Sequence, residues 1–229
     1  MVRSFAHKKS HHPNLNFAIS LGALHCNESL LLEGYTQIQL YREALLDDSG
    51  LLEHIILGQD SQDYLHWSTG NGWAVNGMIR VLRIIQLSPF AYSNMQQQSD
   101  LINWAATLLK NIWQYQQPDG SILNYIDLDP NSGLVYVFPE SSGTALLAAC
   151  TYRLATLAPW AISVEEADKA RQYIVGKIGS DGWLEGVVNP LNWRAPGEHS
   201  PEGQAFTLML AAAYRDWKER NGNHHPRHH

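Results

Sequence analysis

Residues 66–73 read HWSTGNGW, so that two tryptophans flank a Gly-Asn-Gly sequence. Tryptophan faces stack on sugar rings, and glycines at the start of a helix let backbone N–H groups approach an anion such as a uronate carboxylate. The segment therefore predicts a uronate-binding subsite, whose candidate residues are His54, Trp67, Thr69, Asn71 and Trp73. A tight helix entry at the glycines and core packing of the tryptophans would produce the same pattern, and the sequence leaves both interpretations open.

A second group of aromatic and acidic residues lies at residues 183–186, 192–194 and 198–204. Its candidate substrate-binding residues are Trp193, His199 and Glu202. Glu202 stands where an apolar helix is expected to begin, and the helix dipole stabilises a charged carboxylate there, which favours a structural role over proton donation. His54 and His199 have the chemistry to orient or protonate a substrate, although loop histidines also serve as plain hydrogen-bonding groups.

Three further carboxylates lie between these two groups. Glu140 directly precedes Ser-Ser-Gly-Thr, the expected start of another apolar helix, and is therefore the closest of the three to a helix entrance. Asp127 and Asp129 are interpreted as solvated residues. None of these positions identifies a catalytic residue, and the catalytic residue stays unassigned.

Motifs for several other kinds of chemistry are missing from the sequence. The histidines lack the i, i+4 spacing beside an acid that a metal site needs, so neither a metal nor another cofactor is predicted. There is no P-loop, no G-x-G-x-x-G and no G-x-S-x-G nucleophile elbow. Cys26 and Cys150 sit in apolar sequence and are interpreted as small buried side chains rather than as a disulfide or a metal site.

The composition excludes several classes of partner. The chain has 229 residues, of which 45% are hydrophobic and 17% charged, and its formal net charge is -6 without a basic stripe. These values predict a globular domain that binds neither nucleic acid nor membranes. No apolar run long enough for a signal peptide follows the basic first residues, so no signal peptide is predicted and the compartment stays open.

Three repeats of one pattern organise the chain. Each repeat consists of an amphipathic helix, a turn that contains glycine, an extended loop and a second helix that is apolar on nearly every side. The three turns contain Gly50, Gly120 and Gly182. Residues 29–46, 94–117 and 164–178 are predicted as outer helices, and residues 73–85, 145–154 and 206–214 as inner helices.

Helical hairpins with this period stack side by side and curve into a ring. The predicted fold is therefore an all-α (α/α) toroid, incomplete at about three and a half hairpins, where a six-hairpin ring needs about 350 residues. The open edge of such a ring predicts self-association. The toroid domain is assigned to residues 14–218, between a disordered head at 1–13 and a disordered histidine-rich tail at 219–229.

The segment HWSTGNGWAVNGMIRVL, at residues 66–82, resembles the W-x-x-G-N-G-W sequence that opens an inner helix in glycoside hydrolase family 105 and in its relative, family 88. Residues 140–155 and 200–217 resemble the following inner-helix openings of fungal members. The resemblance implies the C-terminal part of a six-hairpin glycosidase. It also implies an oligosaccharide partner, with removal of a 4,5-unsaturated uronic acid from pectin fragments, chiefly those of rhamnogalacturonan.

In these families an aspartic acid protonates the C4=C5 bond of the sugar and water adds at C5, after which the hemiketal opens. The aligned position in this chain is Lys9 or a neighbour, and the first aspartate is Asp47, so the expected general acid is missing. Thr69 stands where bacterial members often have an arginine for the substrate carboxylate.

The alternative hypothesis is a carbohydrate-binding toroid without turnover. A third hypothesis, a terpene-cyclase-like toroid, would need Asp-rich metal motifs that Asp47 and Asp48 alone do not supply.

Overall fold

A computed structural model describes residue 20 and residues 22–57 and 62–222 of the chain. Helices dominate this part of the protein, and a single two-stranded sheet interrupts them before the last helix. The helices are α1 (Glu28–Leu45), α2 (Ser68–Leu87), α3 (Met95–Trp113), α4 (Ser141–Leu157), α5 (Glu165–Val175) and α6 (Pro201–Gly222). The strands are β1 (Val187–Asn189) and β2 (Asn192–Gly197).

The helices form two layers, as the two kinds of hydrophobic pattern predict. Helix α4 is buried along nearly its whole length and packs against α2 on one side and α6 on the other, which makes these three the inner layer. Outer helix α3 buries a single stripe that includes Leu101, Ala105, Leu108 and Ile112, and α5 buries a similar one. A helix enclosed by neighbours has no solvated face, which explains the alanine-rich, acid-free sequence of α4.

Each predicted glycine turn follows an outer helix. Gly50, Gly120 and Gly182 have φ values of 76°, 95° and 86°, in the left-handed region that glycine adopts without strain. The turns after α1 and α5 close in the same way, with isolated bridges between Leu46 and Leu52 and between Ile178 and Leu184. After each turn, the chain crosses to the start of an inner helix.

Several details differ from the sequence-based expectations. The β1–β2 hairpin was not predicted, because Asn192–Gly197 is a short edge segment with half of its side chains exposed. Helix α6 runs to Gly222, past the expected domain end at residue 218, while residues 1–13 and 223–229 lie outside the described part. Cys150 is buried as expected, but Cys26 is exposed in a turn, and that prediction was wrong.

Two expectations concern the outside of the molecule. Within the described ranges, no helix is both long and apolar enough to cross a membrane. Leu208 on inner helix α6 is 68% exposed, which is unusual for a leucine on an inner helix. Self-association through this open edge stays a prediction.

The loop that enters α2 is held by Asn71, which is almost completely buried. Its Oδ1 accepts from the Leu52 backbone N–H at 3.0 Å, and its Nδ2 donates to the carbonyl oxygens of Leu52 at 2.8 Å and Trp67 at 3.1 Å. The amide thus makes the same pair of bonds with Leu52 that a neighbouring strand would make.

We expect Asn71→Ala to lower the free energy of unfolding by about 2–4 kcal/mol, because it leaves the polar groups of Leu52 buried without partners. Urea denaturation followed by circular dichroism measures the change. The exposed Asn131→Ala is the matched control, with an expected effect within about 0.5 kcal/mol. Equal stability of the two variants would show that the Leu52 loop does not depend on this amide.

Candidate functional site

The loops that precede the inner helices meet at one end of the molecule. Trp67 and Tyr125 form an isolated antiparallel bridge, and the Ser68 N–H donates to the Asn124 carbonyl oxygen at 2.9 Å. The Ser141 N–H donates to the Gly186 carbonyl oxygen at 2.8 Å, which connects the start of α4 to the segment before the β1–β2 hairpin. The N-terminal ends of the inner helices therefore meet at one opening of the molecule, which we call the mouth.

The fully buried carboxylate of Glu140 is the centre of this junction. Its Oε1 accepts from the backbone N–H groups of Ser142 at 2.7 Å and Val188 at 3.3 Å. Its Oε2 accepts from the Gly143 N–H at 2.6 Å and from the hydroxyls of Ser68 at 3.2 Å and Thr69 at 2.9 Å. A buried carboxylate is tolerated only when it is hydrogen-bonded, and here α2, α4 and β1 each supply a donor.

This junction explains two of the small residues around it. A Cβ atom on Gly143 would lie 2.6 Å from the Glu140 carboxylate and 2.6 Å from the Ser68 hydroxyl, so only glycine fits there. Thr69 is almost completely buried and its hydroxyl is bonded to Glu140, so that side chain holds the helix start and is not presented to solvent.

A second buried carboxylate, Asp63, lies under the mouth. Its Oδ2 accepts from the Tyr125 hydroxyl at 2.7 Å and the Trp193 indole N–H at 3.0 Å, and it lies 3.1 Å from His54 Nδ1. The Arg194 guanidinium is 3.7 Å from the same oxygen and about half exposed. Asp63 thus brings together His54 from the loop before α2, Tyr125 from the loop before α4, and Trp193 and Arg194 from β2.

The ring of His54 lies between two tryptophans. Its centroid is 4.7 Å from that of Trp67 in a tilted contact and 5.2 Å from that of Trp193 in an edge contact. Because His54 Nδ1 faces Asp63, its Nε2 is left without a hydrogen-bond partner in the described part of the chain. The indole N–H of Trp67 is buried and also has no partner there. The cluster consequently keeps two unused polar atoms.

The electrostatics of the cluster favour an ionised Asp63. Burial alone raises the pKa of Asp63, but hydrogen bonds from Tyr125, His54 and Trp193 together outweigh that effect and lower the pKa overall. Burial and the neighbouring Asp63 raise the pKa of Tyr125 to about 12, so the hydroxyl stays a donor. An ionised Asp63 in turn fixes the Nδ1–H tautomer of His54 and leaves Nε2 as an acceptor when the ring is neutral.

A separate network surrounds His66, which is buried between two aspartates. Its Nδ1 lies 2.9 Å from Asp127 and its Nε2 lies 3.1 Å from Asp47. Burial lowers the pKa of His66, but the hydrogen bond and charge of Asp127 and the charge of Asp47 outweigh burial and raise it overall. Asp127 is exposed, as expected of a solvated residue, and it also pairs with His66. Asp129 is exposed and accepts from the Asn131 N–H of its own turn.

The other candidate residues lie apart from the His54 cluster. Trp73 is 45% exposed on α2, and its ring packs nearly perpendicular to that of Phe206 on α6, with centroids 5.0 Å apart. His199 is exposed and packs on Trp183 at 4.7 Å, and Glu202 accepts from the Ser200 hydroxyl in the first turn of α6. The structure therefore groups His54, Trp67 and Trp193, uses Thr69 and Asn71 to hold the start of α2, and places the remaining three candidates outside the cluster.

Sequence reasoning missed Asp63, Tyr125 and Arg194 as members of the cluster. Asp63 belongs to a polar run that also contains Asp60, and nothing in the local sequence separates the two. Arg194 follows the selected Trp193, so an aromatic residue beside a cation was the one available signal. Among the residues that the structure describes, no three His, Cys, Asp or Glu side chains are grouped so that they could hold a metal ion.

Residues 14–195 match the family model for Glycosyl Hydrolase Family 88. The chain belongs to this family. The resemblance of its helix openings to families 105 and 88 is thereby confirmed, whereas the likeness to fungal members in particular stays a prediction. A search of curated proteins finds no match.

Three solved bacterial structures illustrate the likeness in fold. A possible member of the GH105 family from Salmonella enterica serovar Paratyphi A is 20% identical with a TM-score of 0.74, over 90% of this chain and 55% of that chain. A possible GH105 member from Klebsiella pneumoniae is 20% identical with a TM-score of 0.72, over 89% and 53%. A family 88 glycosyl hydrolase from Bacteroides vulgatus is 18% identical with a TM-score of 0.70, over 89% and 60%.

Identities of 18–20% establish the fold and not the activity. The helical-hairpin toroid predicted from the sequence is confirmed, and this family 88 chain spans little more than half the length of the solved proteins that it matches. The mouth of the inner helices, with its histidine and tryptophans, is consequently the candidate functional site.

The His66 network predicts a pH dependence of stability. Because the folded protein holds the His66 proton more tightly than the unfolded chain, the free energy of unfolding should fall as pH rises from about 6.5 through the raised pKa. Urea denaturation at several pH values measures this slope, and His66→Gln should flatten it. The exposed His25→Gln is the control; equal slopes in His66→Gln and the unmodified protein would contradict the assignment.

Proposed function

We propose that the mouth of the inner helices binds the unsaturated uronyl end of an acidic oligosaccharide, and that this chain belongs to a glycosidase acting on such sugars by hydration of the C4=C5 bond. The observation that carries the proposal is the His54 ring held between Trp67 and Trp193, with its Nε2 unused. Tryptophan faces suit sugar C–H groups, and His54 Nε2, which has no partner among the described residues, suits a sugar hydroxyl.

Arg194 supports the uronate part of the proposal. Family relatives often use an arginine at the position of Thr69 for the substrate carboxylate, and here that position carries a buried hydroxyl bonded to Glu140. The guanidinium of Arg194, half exposed beside Trp193, offers the cation from β2 instead. A guanidinium binds carboxylates through paired N–H donors, which gives selectivity for an acidic over a neutral sugar.

The proton donor of the reaction is not assigned among the described residues. Hydration of the C4=C5 bond needs a carboxyl that keeps its proton, and the lowered pKa of Asp63 makes it a positioning residue for His54 instead. Both oxygens of Glu140 accept hydrogen bonds from N–H or O–H donors, so that carboxylate has a structural role. The position aligned with the catalytic aspartate, near Lys9, lies outside the described residues.

This lack of a donor favours a second candidate function, a carbohydrate-binding protein of the same fold without turnover. Both candidates use the same subsite and the same acidic, pectin-derived ligands, chiefly rhamnogalacturonan fragments. They differ only in whether the bound sugar loses its double bond.

Binding tests the subsite. Isothermal titration calorimetry with an unsaturated rhamnogalacturonyl disaccharide should give saturable binding, and Arg194→Gln and His54→Gln should each raise the Kd about tenfold, the effect of losing one good polar contact. Lys110→Gln on α3 and His25→Gln are the matched controls and should bind like the unmodified protein. Absent binding, or binding that neither site variant weakens, would refute the subsite.

Turnover separates the two candidate functions. The ultraviolet absorbance of the C4=C5 bond is followed while the protein is mixed with the same disaccharide. A decay faster than buffer that is lost in His54→Gln supports the hydrolase, because the reaction removes the double bond. Saturable binding with no decay supports the binding protein and excludes turnover by this chain.

A further inference from the structure

A cavity of about 520 Å³ lies between the inner helices, towards their C-terminal halves and away from the mouth. Helices α2 and α6 touch near their N-terminal ends, where Trp73 meets Phe206 with ring centroids 5.0 Å apart. Towards the C-terminal ends of these helices, side chains of α2, α4 and α6 line the cavity. The inner layer thus has a second concave surface that shares no lining residue with the His54 cluster.

The charges that line this cleft are mostly positive. Arg80 and Arg83 come from α2, Arg153 from α4 and Arg220 from α6, and Asp216 is the one acidic residue of the lining. Helices α2 and α4 contain no aspartate, glutamate or lysine at all. A chain with a formal net charge of -6 therefore gathers four arginines on one concave surface.

Of these four arginines, only Arg153 is paired with an acid of α6 in the described part of the chain. Asp216 Oδ2 lies 2.5 Å from Arg153, and its Oδ1 lies 2.9 Å from Arg215 outside the cleft, so both of its oxygens are engaged. Within the described ranges, Arg80, Arg83 and Arg220 have no carboxylate at ion-pair distance. Arg80 and Arg83 are also three residues apart on one helix face, where like charges repel.

Stabilisation of helix ends does not account for this arrangement. Arg220 lies in the last turn of α6, where a cation complements the helix dipole. The last turns of α2 and α4 contain no basic residue, so Arg80, Arg83 and Arg153 are placed for another reason. Met209 also lines the cleft, and Arg80, Arg83 and Arg220 are exposed.

We propose that this cleft binds a small anion carrying two or more carboxylate or phosphate groups. Arginine pairs with both kinds of group through parallel N–H donors, and a multivalent anion relieves the repulsion between Arg80 and Arg83. The volume lies within the range of small-ligand pockets, about 300–1,000 Å³. This site is independent of the proposed sugar-binding mouth.

Calorimetric titration of the full chain with citrate and, separately, with pyrophosphate tests the proposal at constant ionic strength, so that general screening does not change. Saturable binding of either anion is expected. Arg80→Gln/Arg83→Gln should weaken it about tenfold or more. Lys110→Gln/Lys218→Gln removes the same two charges elsewhere on the surface and should leave it unchanged. Preference for citrate identifies a carboxylate ligand, and preference for pyrophosphate a phosphate ligand.

Thermal unfolding in anion-free buffer checks that the arginine variant folds. We expect its Tm to equal or exceed that of the unmodified protein, because repulsion between the guanidinium groups is removed. Arg220→Gln, on a different helix, provides a second variant and should weaken binding as well. Binding of neither anion, or equal weakening by the lysine variant, would overturn the proposal, since the arginines would then act only through general charge.

Discussion

The buried carboxylate of Glu140 is the constraint on which the mouth depends. It has five hydrogen-bond donors and no cationic partner at ion-pair distance in the described part of the chain, and those donors belong to α2, α4 and β1. Burial of a carboxylate is expensive without such bonds, so the three segments must come together in one arrangement. That requirement explains why Ser68, Thr69 and Gly143 are small, and why Thr69 is not free to face a ligand.

Asp63 works differently, although it is buried to a similar degree. The donors around Glu140 belong to helix starts and a strand, whereas those around Asp63 include Tyr125, His54 and Trp193, which surround the unused Nε2 of His54. One carboxylate therefore fixes the backbone and the other fixes the side chains of the candidate site. Loss of the Asp63 carboxylate would remove the acceptor that Tyr125, His54 and Trp193 share.

Local sequence patterns were sufficient for the fold and insufficient for the cluster. The stripe on α3 and the turns at Gly50, Gly120 and Gly182 follow from periodicity and glycine chemistry, which depend on neighbouring residues only. The bond between Trp193 and Asp63 joins residues 130 positions apart, and no local rule brings them together. Asn71 shows the opposite difficulty: a helix-start asparagine in a Gly-Asn-Gly sequence fits a ligand contact or a loop anchor equally well, and only its bonds to Leu52 reveal the anchor.

The two proposed anion sites lie at opposite ends of the inner helices, and a different source of positive charge serves each of them. The N-terminal ends of these helices converge on the mouth, where the partial positive charges of the helix dipoles add, and Glu140 compensates them at α4. In the proposed function, Arg194 is the cation that pairs with the uronate carboxylate at this end. The C-terminal ends of the helices carry partial negative charge, which disfavours a bound anion. The proposed anion site near those ends therefore needs several guanidinium groups, and Arg80, Arg83 and Arg153 provide them.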